Sequence, residues 1–318
     1  MAVRIGIDIG ATKTKIIMID RAGKILARTK VLTESAHDPE PIVERASQGV
    51  EELIQAQKLK PSQVETVAVG IAGFANPRTG VIDLSPNLHW RNVPFKRMME
   101  DRLGRTVYMA NDVNAAGWGE FVYGAGRGCQ DLVAVFIGSG IGGGIVAHGR
   151  MVEGATGTGA EVGHMTFRVG GLKCDCGKRG CFESYGGGMP MEKRMRRLVA
   201  QGKSPAALKL AGGDVNKVNT KVIRLAAAAG DPAAKKVWAE AEESLVTLCA
   251  NLVSLLNPDR VVLGGGVMAG NPGLLQTIRQ GVNKMAVTLS AQHVRIVKSQ
   301  LGDDAVAMGA AALVDLYR

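Results

Sequence analysis

Aromatic residues are scarce, with Phe, Trp and Tyr together making 4% of 318 residues. Single-strand nucleic-acid binders stack successive bases on such rings, so the shortage argues against that class. No uncharged run approaches the roughly 20 apolar residues of a bilayer-spanning helix. Nothing before Arg4 has the basic and apolar regions of a secretory leader. Cysteine is sparse too, five in the whole chain, too few for a disulfide-built scaffold of this length. The expectation is a soluble cytoplasmic protein that binds neither nucleic acid nor membrane.

Charge is in surplus. The net charge is +10 and the pI near 9.5, which suits anionic substrates such as nucleotides without selecting among them. Lysines and arginines are dispersed; the densest run is Lys193-Arg194-Met195-Arg196-Arg197. With Met195 and Leu198 at helical spacing it reads as a solvated helix face, a nucleic-acid patch being the competing reading.

The chain is long enough for two domains or one large one. Val3 to Ile9, Lys15 to Ile19 and Ile25 to Val31 alternate as a strand meander, with turns at Gly10-Ala11-Thr12 and Ala22-Gly23. Apolar residues at helical spacing follow over Pro41 to Gln57, then a strand over Val64 to Gly70. A strand over Thr106 to Ala110 and a helix from about Asn114 to Phe121 close this half.

The pattern then restarts. A strand over Asp131 to Ile137 enters the glycine turn Gly138-Ser139-Gly140-Ile141-Gly142-Gly143-Gly144 and leaves through Ile145-Val146-Ala147. A long helix over Pro232 to Leu256, a strand over Arg260 to Leu263 ending in Gly264-Gly265-Gly266, and a last strand over Val294 to Val297 follow. Repetition of the same order implies a duplicated α/β fold with mixed sheets and the ligand between the halves. Met151 to Thr220 has no counterpart in the first half, and the C-terminal helix, Ala305 to Tyr317, is expected to return to the first domain. The expected domains are therefore 1–117 with 303–318, and 118–302.

Three cysteines crowd into Cys174-Asp175-Cys176-Gly177-Lys178-Arg179-Gly180-Cys181, ten residues after His164. A Cys3His set is a composition that tetrahedral structural zinc favours. A disulfide or plain core cysteines are the competing readings, and three cysteines leave one unpaired. Glu161 and Glu183 flank these ligands, either as surface charges or as groups that an ion would position.

Strand, glycines, strand is the wrong order for a dinucleotide fingerprint, which needs a helix after the glycines. Gly138-Ser139-Gly140 instead forms a hairpin whose amides can face phosphate, or a purely structural turn. Asp8-Ile9-Gly10-Ala11-Thr12-Lys13 is the equivalent hairpin of the first half. There an aspartate can hold hydrated magnesium, and Thr12 and Lys13 lie where phosphate oxygens are met. Asp112, at a strand end beside a helix N-terminus, reads as a general base or as a simple N-cap.

Together, Asp8 to Lys13, Asn111-Asp112-Val113-Asn114-Ala115-Ala116, Gly138 to Gly144, Glu161-Val162-Gly163-His164 and the cysteine run through Glu183 resemble the ROK family of sugar kinases and sugar-responsive repressors. The resemblance covers essentially the whole chain. Ser85-Pro86-Asn87-Leu88-His89-Trp90 is similar to the glucokinase form of the family's sugar loop. The resemblance implies the actin-like ATPase (ribonuclease H-like) fold and transfer of the γ-phosphate of ATP to the 6-hydroxyl of glucose. It implies Asp112 as base, with Asn87, Asn111, Asp112, Glu161, His164 and Glu183 meeting the hexose. His164, Cys174, Cys176 and Cys181 would hold zinc, His164 serving the metal and the sugar through different ring nitrogens. Gly264-Gly265-Gly266 resembles the adenosine loop, and a homodimer or higher homo-oligomer is the family expectation.

Three departures stand out. Ala11 replaces a second glycine, tolerable unless φ is positive there; Ser139 replaces threonine; and the run Gly186-Gly187-Gly188 is expected to loosen the sugar loop and broaden specificity. An N-acetylhexosamine or broad-specificity hexose kinase is the alternative. A repressor is the weaker one, since the first strand begins at Val3 and leaves no room for a preceding DNA-binding motif.

Overall fold

The computed structural model describes residues 2–33 and 38–317. Three strands, β1 (Val3–Ile9), β2 (Lys13–Ile19) and β3 (Ile25–Leu32), form the expected antiparallel meander. After the Glu40–Ala56 helix comes β4 (Val64–Ile71), then a small sheet of β5 (Phe74–Ala75), β6 (Ile82–Ser85) and β7 (Trp90–Val93), and then β8 (Val107–Asn111). The first large sheet has the order β3-β2-β1-β4-β8, with β1, β4 and β8 parallel. The second repeats it: β9 (Leu132–Ile137), β10 (Ile141–Ala147), β11 (Arg150–Met151), β12 (Arg260–Gly264) and β13 (Arg295–Lys298) run in the order β11-β10-β9-β12-β13. The duplication read from the sequence is thus present strand for strand in the large sheets.

Two compact units emerge, one of residues 1–134, 144–160 and 299–318, the other of 135–143 and 161–298. The sequence-based cut after residue 117 falls inside a helix, Asp112–Val122. The C-terminal residues, from Ser299 on, fall in the first unit.

Strand periodicity explains the core of that unit. Ile5, Ile7 and Ile9 point to one face, where they join Val67, Val69, Met109 and the apolar stripe Ile42, Val43, Ala46, Val50 and Leu53 of the Glu40–Ala56 helix. On the other face Ile17 and Ile19 meet Ala307, Met308 and Ala311. The C-terminal helix lies so close there that a Cβ on Gly6 would come within 1.7 Å of the Ala307 carbonyl oxygen. It packs equally closely on the Asp112–Val122 helix, where a Cβ on Gly309 would meet the Ala115 carbonyl oxygen at 1.7 Å. These glycines let backbone touch backbone and fix the helix that starts at Asp112. The C-terminal segment is not one helix, however: Ala305–Ala311 and Val314–Tyr317 are separate, with Ala312 and Leu313 fully buried.

In the second unit the long helix occupies Pro232–Leu256, as its ends dictate. Asp231 caps it by accepting from Ala234 N at 2.9 Å, Pro232 takes the first turn, and Asn257 closes it at φ 45°. Among the described residues no helix is long and apolar enough to cross a membrane.

Candidate functional site

In the first unit the parallel strands end together: Asp8 pairs with Gly70, and Ile71 with Asn111. The carboxyl ends of such strands are where ligands meet α/β sheets. Asn111, not Asp112, caps the following helix, its Oδ1 accepting from Val113 N at 2.9 Å and Asn114 N at 3.1 Å. Its Nδ2 donates one hydrogen to the Gly73 carbonyl at 3.0 Å, leaving its second N–H for another acceptor. Asp112 becomes the first helical residue, and one carboxylate oxygen accepts from Val113 N at 2.9 Å. Burial pushes its carboxyl above the usual range, against the pull of those backbone donors.

Asp8 is raised as well, to about 6, first by burial and then by the nearby charge of Asp112, with Asp303 and Asp304 adding and Lys15 opposing. Lys15 is itself held by Asp304 at 3.2 Å and by the Asp303 carbonyl. Carboxylates outnumber cations here, and their like charge adds to burial in raising Asp8. The turn after Asp8 is closed by Gly10 N donating to the Lys13 carbonyl at 3.2 Å, leaving the Thr12 and Lys13 side chains exposed. Ala11 does not have positive φ, so alanine is accommodated. Asn87 is exposed in the turn between β6 and β7, over the fully buried Leu88.

In the second unit the glycine turn is the expected hairpin between β9 and β10. Gly138 N donates to the Gly140 carbonyl at 3.0 Å, and the Gly138 and Ser139 carbonyls accept from Gly188 N and Met189 N at 2.9 and 2.8 Å. The amides of Ser139 and Gly140 have no partner among the described residues. Gly138 and Ser139 border an open cleft of about 860 Å³ together with Gly188, Lys193, Arg196 and Gly266. Gly265 follows β12 at φ 90° with its α-carbon against Ile137, where a Cβ would lie 2.4 Å from the Ile137 carbonyl oxygen. The glycine hairpin and the Gly264-Gly265-Gly266 turn therefore border one another.

The run Gly186 to Gly188 is not loose. Added Cβ atoms would lie 2.9 Å from Leu245 Cδ2, 2.8 Å from the Glu183 carbonyl and 2.6 Å from the Gly138 carbonyl. Its glycines serve close packing at a helix start, which corrects the expectation of a slack sugar loop.

The cysteines are all free, and four sequence-predicted ligands converge: His164, Cys174, Cys176 and Cys181 bring their donor atoms within 4.8 Å of one another. Cys176 Sγ and Cys181 Sγ are 3.7 Å apart, as are Cys174 Sγ and His164 Nδ1. Sulfurs about 2.3 Å from a tetrahedral centre stand about 3.8 Å apart, and with these two separations near that value and all four donors within 4.8 Å, the cluster could hold a metal ion. Gly177 and Gly180, at φ 88° and 84°, turn the loop around that centre. Burial and the neighbouring thiols push Cys181 up to about 12; a cation among them would reverse that and draw the thiolates out.

Around this cluster stand the acidic residues. Glu161 Oε2 is 4.0 Å from His164 Nε2, the nitrogen turned away from the cysteines. Glu183 Oε1 is 3.9 Å from Cys174 Sγ, and its Oε2 accepts from Ile141 N at 2.9 Å, joining the cluster to the glycine hairpin.

Against this geometry the comparisons are specific. The model of the ROK family matches residues 4–316. The chain belongs to the ROK family. The glucokinase of Streptomyces coelicolor is 32% identical over 316 residues, 98% of either chain. A ROK family glucokinase from Streptomyces griseus, crystallised with glucose and AMPPNP, is 33% identical with a TM-score of 0.80, over 98% of this chain and 99% of that one. The putative xylose repressor of a Caldicellulosiruptor species is 31% identical over 98% of this chain and 77% of its own. These relatives support a sugar kinase with the actin-like ATPase fold, in a ROK family that also contains regulators.

Two features of this ROK chain were not legible beforehand. Glu120 is fully buried and accepts from Ser299 Oγ at 2.6 Å and from the amides of Gln300 and Leu301 at 3.0 and 2.9 Å, fixing the loop before Asp303. Ala160 holds φ 64° immediately before Glu161, a strained conformation for alanine of the kind found at functional positions.

Proposed function

We propose that the chain is an ATP-dependent hexose kinase that transfers the γ-phosphate of ATP to the 6-hydroxyl of glucose. Asp112 is the base. The observation that carries this reading is the division of labour at the helix start: Asn111 caps the amides of Val113 and Asn114, and the adjoining Asp112 carboxyl, which takes one bond from Val113 N, is raised by burial where the parallel strands end. A carboxylate raised by burial is a better proton acceptor for a sugar hydroxyl than an exposed one.

Asn87, Asn111, Glu161, His164 and Glu183 are the proposed hexose contacts. Gly138, Ser139 and Gly140 present amides to the phosphates, with Gly10, Thr12 and Lys13 as the matching turn of the first unit. Gly264, Gly265 and Gly266 admit the adenosine. Asp8 would hold hydrated Mg2+, which supplies charge neutralisation to the triphosphate. His164, Cys174, Cys176 and Cys181 would hold structural Zn2+, which fixes the backbone of Glu161 and Glu183. Transfer then rests on positioning and on exclusion of water rather than on covalent chemistry. The proposed assembly is a homodimer or higher homo-oligomer, to be read by light scattering.

Initial rates of ADP release with glucose, mannose, N-acetylglucosamine, N-acetylmannosamine and fructose test the assignment. Glucose should be fastest, and Asp112→Asn should lower kcat at least 100-fold with glucose affinity little changed. Substantial turnover by that variant would remove Asp112 from the role of base.

A further inference from the structure

The basic run Lys193 to Arg197 proves to have two working sides. Lys193 and Arg196 border the cleft beside Gly138 and Gly266. Lys193, Arg194 and Arg197 also line a second, smaller pocket of about 250 Å³, whose opposite wall is the metal loop from Leu172 to Asp175 with Glu183 and Ser184. Charge pairing inside this pocket is incomplete. Lys193 is paired with Asp175 at 3.2 Å, and Arg194 with Glu240, which also takes Arg168 at 3.5 Å. Glu183 spends its Oε2 on Ile141 N. Lys173 and Arg197 are exposed at the rim and have no carboxylate partner among the described residues.

A concavity with two unspent cations concentrates anions. A guanidinium beside an ammonium suits a phosphoryl group, which accepts several charge-assisted hydrogen bonds at once. Its volume is below the roughly 300 Å³ at which pockets for drug-sized ligands begin, which fits a phosphate or one phosphorylated monosaccharide rather than a nucleotide. We propose that this pocket is a binding site for a small phosphate-bearing anion, separate from the glycine-hairpin cleft. Cys174 and Glu183 are common to the pocket and the metal loop, so occupancy bears directly on the residues beside the cluster. If the proposed function holds, the occupant class includes the kinase's own product, and that extension rests on the kinase reading.

Calorimetric titration of the full chain with inorganic phosphate, at constant ionic strength and with AMPPNP present, reads the pocket without turnover. Saturable binding is expected, weakened at least tenfold in a Lys173→Gln, Arg197→Gln double variant. Both side chains are exposed, and circular dichroism checks that the variant is folded. Repeating the titration with glucose 6-phosphate distinguishes the sources: tighter binding than phosphate identifies a sugar phosphate, equal binding the free anion. Absence of saturable binding, or binding unchanged in the double variant, would overturn the proposal. Because no catalysis is read, an inactive protein that still shows the variant-sensitive site would refute the kinase reading and leave this one standing.

Discussion

Replacing Gly140 by alanine should separate hexose binding from fold stability. Gly140 does not have positive φ, so its backbone accepts alanine. The new Cβ would sit 2.3 Å from Glu183 Oε2 and 3.1 Å from its Cδ. Ordinary contact begins at about 3.4 Å, so the carboxylate must retreat by roughly 1 Å. That breaks its 2.9 Å hydrogen bond from Ile141 N and moves a proposed sugar contact. Hydrogen bonds to charged groups are worth about 1.5–3 kcal/mol, so hexose affinity should fall about 10- to 150-fold. The carboxylate is the far end of a flexible chain, which spares the fold. Gly138→Ala is the contrast, because a Cβ there meets nothing within 4 Å; it should weaken nucleotide binding and leave hexose affinity within about twofold. Calorimetric titration of both variants with glucose and with AMPPNP gives the four constants. A folded Gly140→Ala protein with wild-type glucose affinity would show that Glu183 does not hold the sugar.

Other outcomes follow from the same geometry. Stripping metal from the folded protein should abolish glucose binding while AMPPNP binding weakens far less, since the proposed sugar contacts His164, Glu161 and Glu183 lie in or beside the cluster and the glycine hairpin is tied to it only through the Glu183 to Ile141 bond; retained glucose affinity in calorimetry would refute this. Gly309→Ala forces a Cβ to within 1.7 Å of the Ala115 carbonyl oxygen, an overpacking that backbone cannot relieve cheaply; it should cost at least about 3 kcal/mol, seen as a lower thermal midpoint. Asp8 titrates near 6 rather than at its ordinary 3.8, and only the ionised form holds a divalent cation. The apparent Mg2+ affinity should therefore drop about tenfold per pH unit below 6 and level off above it. Without Mg2+ the sign for stability is opposite to that of a salt-bridged acid: the buried charge costs stability as pH rises from about 4 through 6. Thermal melts across that window, with and without Mg2+, check both.

Long periodic segments were legible because local chemistry decides them. The long helix occupies Pro232–Leu256, the bounds its apolar period and Pro232 marked, although its caps, Asp231 and Asn257, are visible only in the structure. The repeated order of strands was legible for the same reason, and the convergence of His164 with the three cysteines because residue type and spacing are local. The small sheet of β5, β6 and β7 was not, since strands of two to four residues carry no periodicity to read. Neither was Glu120, whose partners lie some 180 residues away. The break at Ala312 and Leu313 has no glycine or proline to announce it. The Gly186 to Gly188 run misled for a physical reason: glycine serves flexibility in an open chain and close approach in a packed one, and only packing tells which. At Asn111 and Asp112 two adjacent residues both satisfied the cap pattern, and the hydrogen bonds alone assign the cap to the first.

The central claim is phosphoryl transfer to a hexose hydroxyl with Asp112 as base. Phosphorus NMR of the protein with Mg2+, ATP and glucose tests it most directly. The account predicts ADP and a phosphomonoester on the 6-oxygen of glucose, with no such product from Asp112→Asn although that variant still binds glucose. Glucose left unphosphorylated by the metal-loaded wild type, or the same product formed at a similar rate by Asp112→Asn, would contradict it.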